Sequence, residues 1–207
     1  MICQNACMAD DLPPSDRISL ILAAAFRAFA AYGYRRTTMD DIASGAGLSR
    51  TALYQTFRNK EDIFLRLTQD YMTSAVEQMR AAFRKDAPPE DVLEAALAAK
   101  GGRFMEIVLG TPHGRELMEA GFAVAGEVVQ QAEHQMQKAL LDWFDNFDID
   151  PALGTAEDLA ATVQAALKGL KASAGSLSEY QSGQRVLARL VARSLAPRKS
   201  GGPVSFT

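Results

Sequence analysis

The sequence has little with which to perform covalent chemistry. Its two cysteines, Cys3 and Cys7, both lie in the short polar segment before Pro13. A disulfide framework or a structural metal site needs more ligands at defined spacings. Histidine is as scarce, with only His113 and His134. No Gly-rich phosphate loop opens a helix, and no nucleophile, base and orienting group stand in a recognisable order. The expectation is a protein that is not an enzyme and carries no metal or cofactor.

Other absences narrow the class further. Twenty-two Lys and Arg against 25 Asp and Glu leave a net charge of −3. That excludes a chain coated all over for a polyanion, though not one local basic face. No apolar run reaches the roughly 18–20 residues of a membrane span. Residues 1–14 are polar and acidic, without the positive start and apolar core of a secretory signal. They are expected to form a disordered leader on a cytoplasmic protein, and Met8 is an alternative start. β-Branched runs are rare while Ala and Leu abound, which favours an all-α fold.

Helical punctuation is what the chain does have. Ser15 or Asp16 is a good N-cap, and Ile18, Leu22, Ala25, Phe26 and Phe29 follow at helical spacing up to Gly33. Thr38, with Asp41 three residues on, has the form of a capping box, and Gly47 closes the short helix it starts. Ser49 caps a third helix with Leu53 and Phe57 on its buried stripe. Asn59 caps a fourth that runs to about Phe83. Helical patterns continue over about 90–109, 112–119, 122–147, 155–173 and 180–195, giving about nine helices and no credible strand pairing. The Gly, Pro, Ser and Lys-rich stretch 197–207 is expected to be disordered.

The segment Thr38–Phe57 has what a helix-turn-helix needs. Ala43 is small where two helices cross. Gly47 accepts the positive φ of the turn. Leu53, with Leu48 and Phe57, anchors the second helix on the first. The opposite face of that second helix then displays Arg50, Thr51, Tyr54 and Gln55. Arg forks to guanine O6 and N7, and Gln pairs with adenine N6 and N7. The start of the Thr38 helix offers amides to a phosphate, and Lys60, Arg35, Arg36 and Arg58 add positive charge. Lys and Arg outnumber Asp and Glu between Arg17 and Arg66, a basic end on an acidic chain. A buried helical corner can show the same Ala, Gly and Leu spacing, so the flanking caps and charges matter to the reading.

The run from Gly33 to Phe64, with Thr37-Thr38 before the second helix and Leu53-Tyr54 followed by Phe57-Arg58-Asn59-Lys60-Glu61, strongly resembles the DNA-binding domain of the tetracycline-repressor (TetR/AcrR) family. The resemblance covers about a quarter of the chain. It implies that Arg50, Thr51, Tyr54, Gln55 and Thr56 face the major groove, that Tyr54 and Lys60 meet phosphates, and that Thr38 makes the capped-helix contact. Gln55 and Thr56 stand where family members often have Tyr or His, so base preference is left open. The implied layout is a helix-turn-helix domain over 15–62 and a helical ligand-binding and dimerisation domain over 63–196. The implied function is a repressor released from a palindromic operator by a small molecule.

The remainder supports this only in part. Ala160, Ala161, Ala165, Ala166, Gly169 and Ala172, with Val186, Leu190 and Leu195 on the next helix, suit a four-helix homodimer interface or an ordinary core. Phe104, Met105, Met118, Phe122 and Trp143 suit either a cavity for an apolar or aromatic effector or plain core. Two rivals stand beside the repressor reading. One is a regulator whose body takes a protein partner or nothing. The other is a helical scaffold or small-molecule-sequestering protein with a vestigial helix-turn-helix.

Overall fold

The computed structural model describes residues 13–197. The expectations for Cys3, Cys7 and Met8, and for 1–12 of the leader and 198–207 of the tail, fall outside the described residues, whereas Pro14 is helical and Pro197 is paired in a strand. Eight α-helices make up most of what is described: α1 Pro14–Tyr32, α2 Met39–Ala46, α3 Arg50–Thr56, α4 Lys60–Phe83, α5 Pro89–Gly110, α6 Gly114–Phe144, α7 Ala156–Ser173 and α8 Leu177–Ala192. The chain is all-α, with one small strand pair. No helix among the described residues is long and apolar enough to cross a membrane.

Helix boundaries follow local chemistry. Helix α1 starts at Pro14 with Pro13 as its cap, earlier than the Ser15 or Asp16 caps predict, because Pro14 takes the first turn, where its missing N–H costs nothing. At α2, the Thr38 hydroxyl accepts from the Asp41 amide while the Asp41 carboxylate accepts from the Thr38 amide, the predicted box. The Thr38 hydroxyl and amide, both donating to the Asp41 carboxylate, hold that carboxyl below the usual range. Gly47 is left-handed at φ 68° and its N–H closes on Ala43 and Ser44. The segments expected at 112–119 and 122–147 are one helix, α6, with non-helical geometry only at Ala125, beside Gly126.

Two differences lie at the C-terminal end. Helix α8 begins at Leu177, because Ser176 caps the Glu179 amide and the Glu179 carboxylate returns to Gly175. It also ends earlier, so Leu195 is not helical. A short strand β1, Phe147–Ile149, pairs antiparallel with β2, Leu195–Pro197, and sets Ile149 opposite Leu195. The expectation of no strand pairing is thereby corrected: the backbone partners, Phe147 with Pro197 and Ile149 with Leu195, are remote from each other in sequence.

The described residues form two compact units, 13–74 with 103–131 and 75–102 with 132–197. Helices α4, α5 and α6 each contribute to both, so no single cut in the chain separates them. In the first unit, Ile21, Phe29, Ile42, Leu53, Ile63 and Leu117 are buried together. Each such aliphatic side chain is worth about 1.5–3 kcal/mol of transfer free energy. The Phe29, Tyr34 and Phe64 rings close this core with centroids 4.9–5.5 Å apart. In the second, Leu93, Leu97, Leu140, Phe144, Val163 and Leu167 are buried, and Trp143 stacks on Phe83.

Candidate functional site

The first unit's core fixes how α3 is presented. Ala52 and Leu53 point inward, and Ser49 caps the helix through the Ala52 amide. Ala43 is buried on α2, consistent with the close approach a helix-turn-helix requires. With that face anchored, Arg50, Thr51, Tyr54 and Gln55 are exposed on the opposite one. Thr56 differs from them. It is half-buried and its hydroxyl donates to the Ala52 carbonyl of its own helix.

Arg50 is not idle. Its Nη1 donates to Asp40 Oδ2 at 2.8 Å, and its guanidinium lies 5.5 Å from the Tyr54 ring centroid. Both partners of the ion pair are well over half exposed, at 65% and 60%. Such a pair is worth roughly 0–1 kcal/mol, so Arg50 can exchange Asp40 for a base edge at little cost. Asp40 is also a negative charge beside the recognition face. Asp40→Ala is therefore expected to tighten binding to any duplex by about two- to fivefold. Fluorescence anisotropy with matched and scrambled duplexes measures this, and weaker binding would refute it.

Lys60 is placed differently from a free phosphate ligand. Its ammonium donates to the carbonyls of Tyr34 (2.9 Å), Arg35 (3.0 Å) and Thr37 (3.2 Å), and lies 4.8 Å from the Tyr34 ring centroid. These are the three protons an ammonium has. At the same turn, Glu116 of α6 accepts from the Arg35 amide at 2.8 Å. Gly33, at φ 83°, lies so close to the Glu116 carboxylate that a Cβ there would collide with it. The buried Thr37 hydroxyl adds a bond to the Gly33 carbonyl at 2.7 Å. The turn that leads into α2 is thus held through its carbonyls by Lys60 and through an amide by Glu116.

The neighbouring charges divide. Arg58 is bidentate with Asp62, whose carboxyl its guanidinium holds below the ordinary range. Arg35 and Arg36 are exposed, and among the described residues their guanidinium groups make no ion pair. Thr38 is exposed, its hydroxyl engaged in the capping box. Burial, then the Glu61 carboxylate, pushes the Tyr34 phenol up to about 12.

The apolar residues singled out for an effector are not gathered in one place. Met105 is buried in the first unit; Phe104, half-buried there, packs on Tyr71 at 5.7 Å. Met118 is half-buried in the same unit. Trp143 belongs to the second, among Phe83, Phe144 and Phe147. The side chain of Phe122 is outside what the structure describes. A cavity in the second unit is lined by other residues, Met79, Leu97, Lys100, Met136, Leu140 and Gln164 among them. Glu116 and Lys100 carried no signal in the sequence, since each matters through a partner 81 or 33 positions away. Among the described residues no group of three His, Cys, Asp or Glu is placed to hold a metal.

Residues 21–67 match the family profile of bacterial regulatory proteins, tetR family. The chain carries the N-terminal domain of the tetR family. The match starts inside α1, takes in the whole helix-turn-helix and ends inside α4, so it contains every candidate DNA-facing residue. A curated relative, the HTH-type transcriptional activator FasR of Mycolicibacterium smegmatis, is 29% identical over 143 residues, which is 69% of this chain and 64% of that protein. The similarity thus spans just under two-thirds of the relative's length. In fold, the chain is similar to a transcriptional regulator from Rhodococcus sp. Rha1, at a TM-score of 0.67 with 16% identity over 86% of this chain and 97% of the other. It is also similar to SmeT, the repressor of the Stenotrophomonas maltophilia multidrug efflux pump SmeDEF, at a TM-score of 0.63 with 17% identity over 93% and 94%.

Proposed function

We propose that this chain is a sequence-specific DNA-binding transcriptional regulator. In this reading it works as a homodimer on a palindromic operator and is released by a small-molecule effector. The observation that carries it is the exposed face of α3. A helix held by Ala52 and Leu53 shows solvent a row of Arg, Thr, Tyr and Gln, the side chains that read base edges and phosphates. Repression is the simpler sign, because a dimer seated on an operator acts by occupancy and needs no second contact surface. FasR is an activator and SmeT a repressor by name, so the relatives contain both signs.

Helix α4 leaves the helix-turn-helix and continues into the second unit, which makes it the natural carrier of an effector's influence. An effector that binds one arrangement better than another shifts the population towards it, and with it the spacing of the two recognition helices.

Selection of random duplex DNA by the purified protein tests the reading. A palindromic motif is expected, with half-sites roughly 34–36 Å or a multiple apart. No enrichment at low salt would move the weight to a vestigial helix-turn-helix on a scaffold or sequestering protein. With the operator in hand, Arg50→Ala and Gln55→Ala should each cost about 1–3 kcal/mol against the preferred base and relax discrimination at one position per half-site. If Arg50→Ala left both affinity and preference intact, the placement of α3 in the groove would be wrong.

A further inference from the structure

Much of the positive charge at the recognition end of the chain is already engaged. Arg50 donates to Asp40, Arg58 is held bidentately by Asp62, and the Lys60 ammonium donates to the carbonyls of Tyr34, Arg35 and Thr37. Thr38 closes its capping box with Asp41. Asp40 and Asp41 both stand in the first turn of α2, where their carboxylates offset the positive end of the helix. A helix-turn-helix lays its first helix across the phosphate backbone, so a phosphate arriving at the start of α2 meets these carboxylates. The cations that answer them have to come from side chains without a partner in the fold.

The turn before α2 supplies such side chains. Tyr34 packs its ring against Phe29 and Phe64, and Thr37 is buried with its hydroxyl on the Gly33 carbonyl. Arg35 and Arg36, between these two anchors, are exposed, and among the described residues their guanidinium groups make no ion pair. Their backbone is fixed nonetheless. The Arg35 amide donates to Glu116, and the Arg35 carbonyl accepts from Lys60. A side chain on a fixed backbone has less freedom left to lose on binding, and the guanidinium fork matches two oxygens of one phosphate.

We propose that Arg35 and Arg36 form a phosphate clamp beside the start of α2, and that they, rather than Lys60, carry the electrostatic grip of this turn on DNA. This rests on reading the chain as a DNA-binding regulator with α3 in the major groove, and it names the groups that hold the backbone there. A phosphate has no base identity, so the clamp strengthens binding to every duplex alike and leaves discrimination to α3.

Fluorescence anisotropy of the full chain with a labelled duplex of scrambled sequence, between about 50 and 200 mM salt, tests it. The double variant Arg35→Gln, Arg36→Gln is expected to lower the slope of log affinity against log salt by about two per bound chain. Affinity at about 100 mM salt should fall at least about tenfold. The double variant Arg35→Lys, Arg36→Lys should keep the slope, because it keeps the charges. Arg84 and Lys85, exposed just beyond α4, give a control of equal charge change outside the first unit. Arg84→Gln, Lys85→Gln should leave the slope as it is, since the slope counts contacted phosphates and not net charge. A slope that the Arg35→Gln, Arg36→Gln variant keeps, or that falls equally in the control, would overturn the clamp. A parent that binds duplex while the variant keeps its slope refutes the clamp alone. A parent that binds no duplex at about 50 mM salt refutes the regulator reading, and the clamp with it.

Discussion

The parent chain is expected to run as a dimer in sedimentation, and the double variant Val186→Asp, Leu190→Asp as a monomer of 22.4 kDa. The variant should lose operator affinity by about 10²–10⁴-fold. Val186 and Leu190 are four apart on α8 and are 54% and 61% exposed, more than large apolar side chains in a row on one helix face normally are. Alongside, α7 shows solvent Ala161, Ala165, Gly169 and Ala172, spaced so that they share a face, while Ala160, Val163 and Leu167 point inward. Small residues on one helix and aliphatic ones on the next suit close packing against a second copy of the same pair. Four aspartates brought together by the symmetry of such an interface would repel and would have to be desolvated. The affinity loss follows from arithmetic: with two half-sites on one duplex, the second binding event is intramolecular, and a monomer forfeits it. A double variant that stays dimeric would place the interface elsewhere. One that becomes monomeric with unchanged operator affinity would refute the two-half-site operator.

Lys60→Met is expected to weaken binding to every duplex while leaving the salt dependence nearly unchanged. The family resemblance implies a phosphate contact at this lysine, and the structure places its ammonium on three carbonyls of the turn before α2. The two roles have different signatures. A lysine that neutralises a phosphate contributes about 0.9 to the slope of log affinity against log salt, and its loss removes that much. A lysine that holds the turn contributes to the position of α2 and α3 and to stability, so its loss lowers affinity at all salts alike. Hydrogen bonds from a charged donor are worth roughly 1.5–3 kcal/mol, and methionine keeps the apolar stem over the Tyr34 ring. A destabilisation of about 1–3 kcal/mol in urea unfolding is the expected companion. A slope that falls by about one, with stability unchanged, would return Lys60 to the phosphate role.

Much of the DNA-facing half was legible because its information is local. Thr38 with Asp41, Ser49 with Ala52, and Gly47 with Ala43 act across three or four residues, and capping and left-handed turns depend on little else. The exposed face of α3 followed from the burial of Leu53, since a helix with one anchored side shows the other. Periodicity was enough for the all-α class. It failed where polar residues begin a helix, as at Leu177–Glu179, and where pairing partners are remote, as between Phe147 and Pro197.

By itself, then, the order of residues determined a helix-turn-helix with its caps, its turn and the side chains it shows, because each of those depends on neighbours within a turn of helix. Only the tertiary structure decided that Lys60 and Glu116 both hold the turn before α2, that Arg50 rests on Asp40, and that the buried Lys100 pairs with Glu133. Those outcomes depend on which distant side chains arrive at the same point, and on how much water remains there. Neither the distance between two charges nor their desolvation is written in the spacing of residues along the chain.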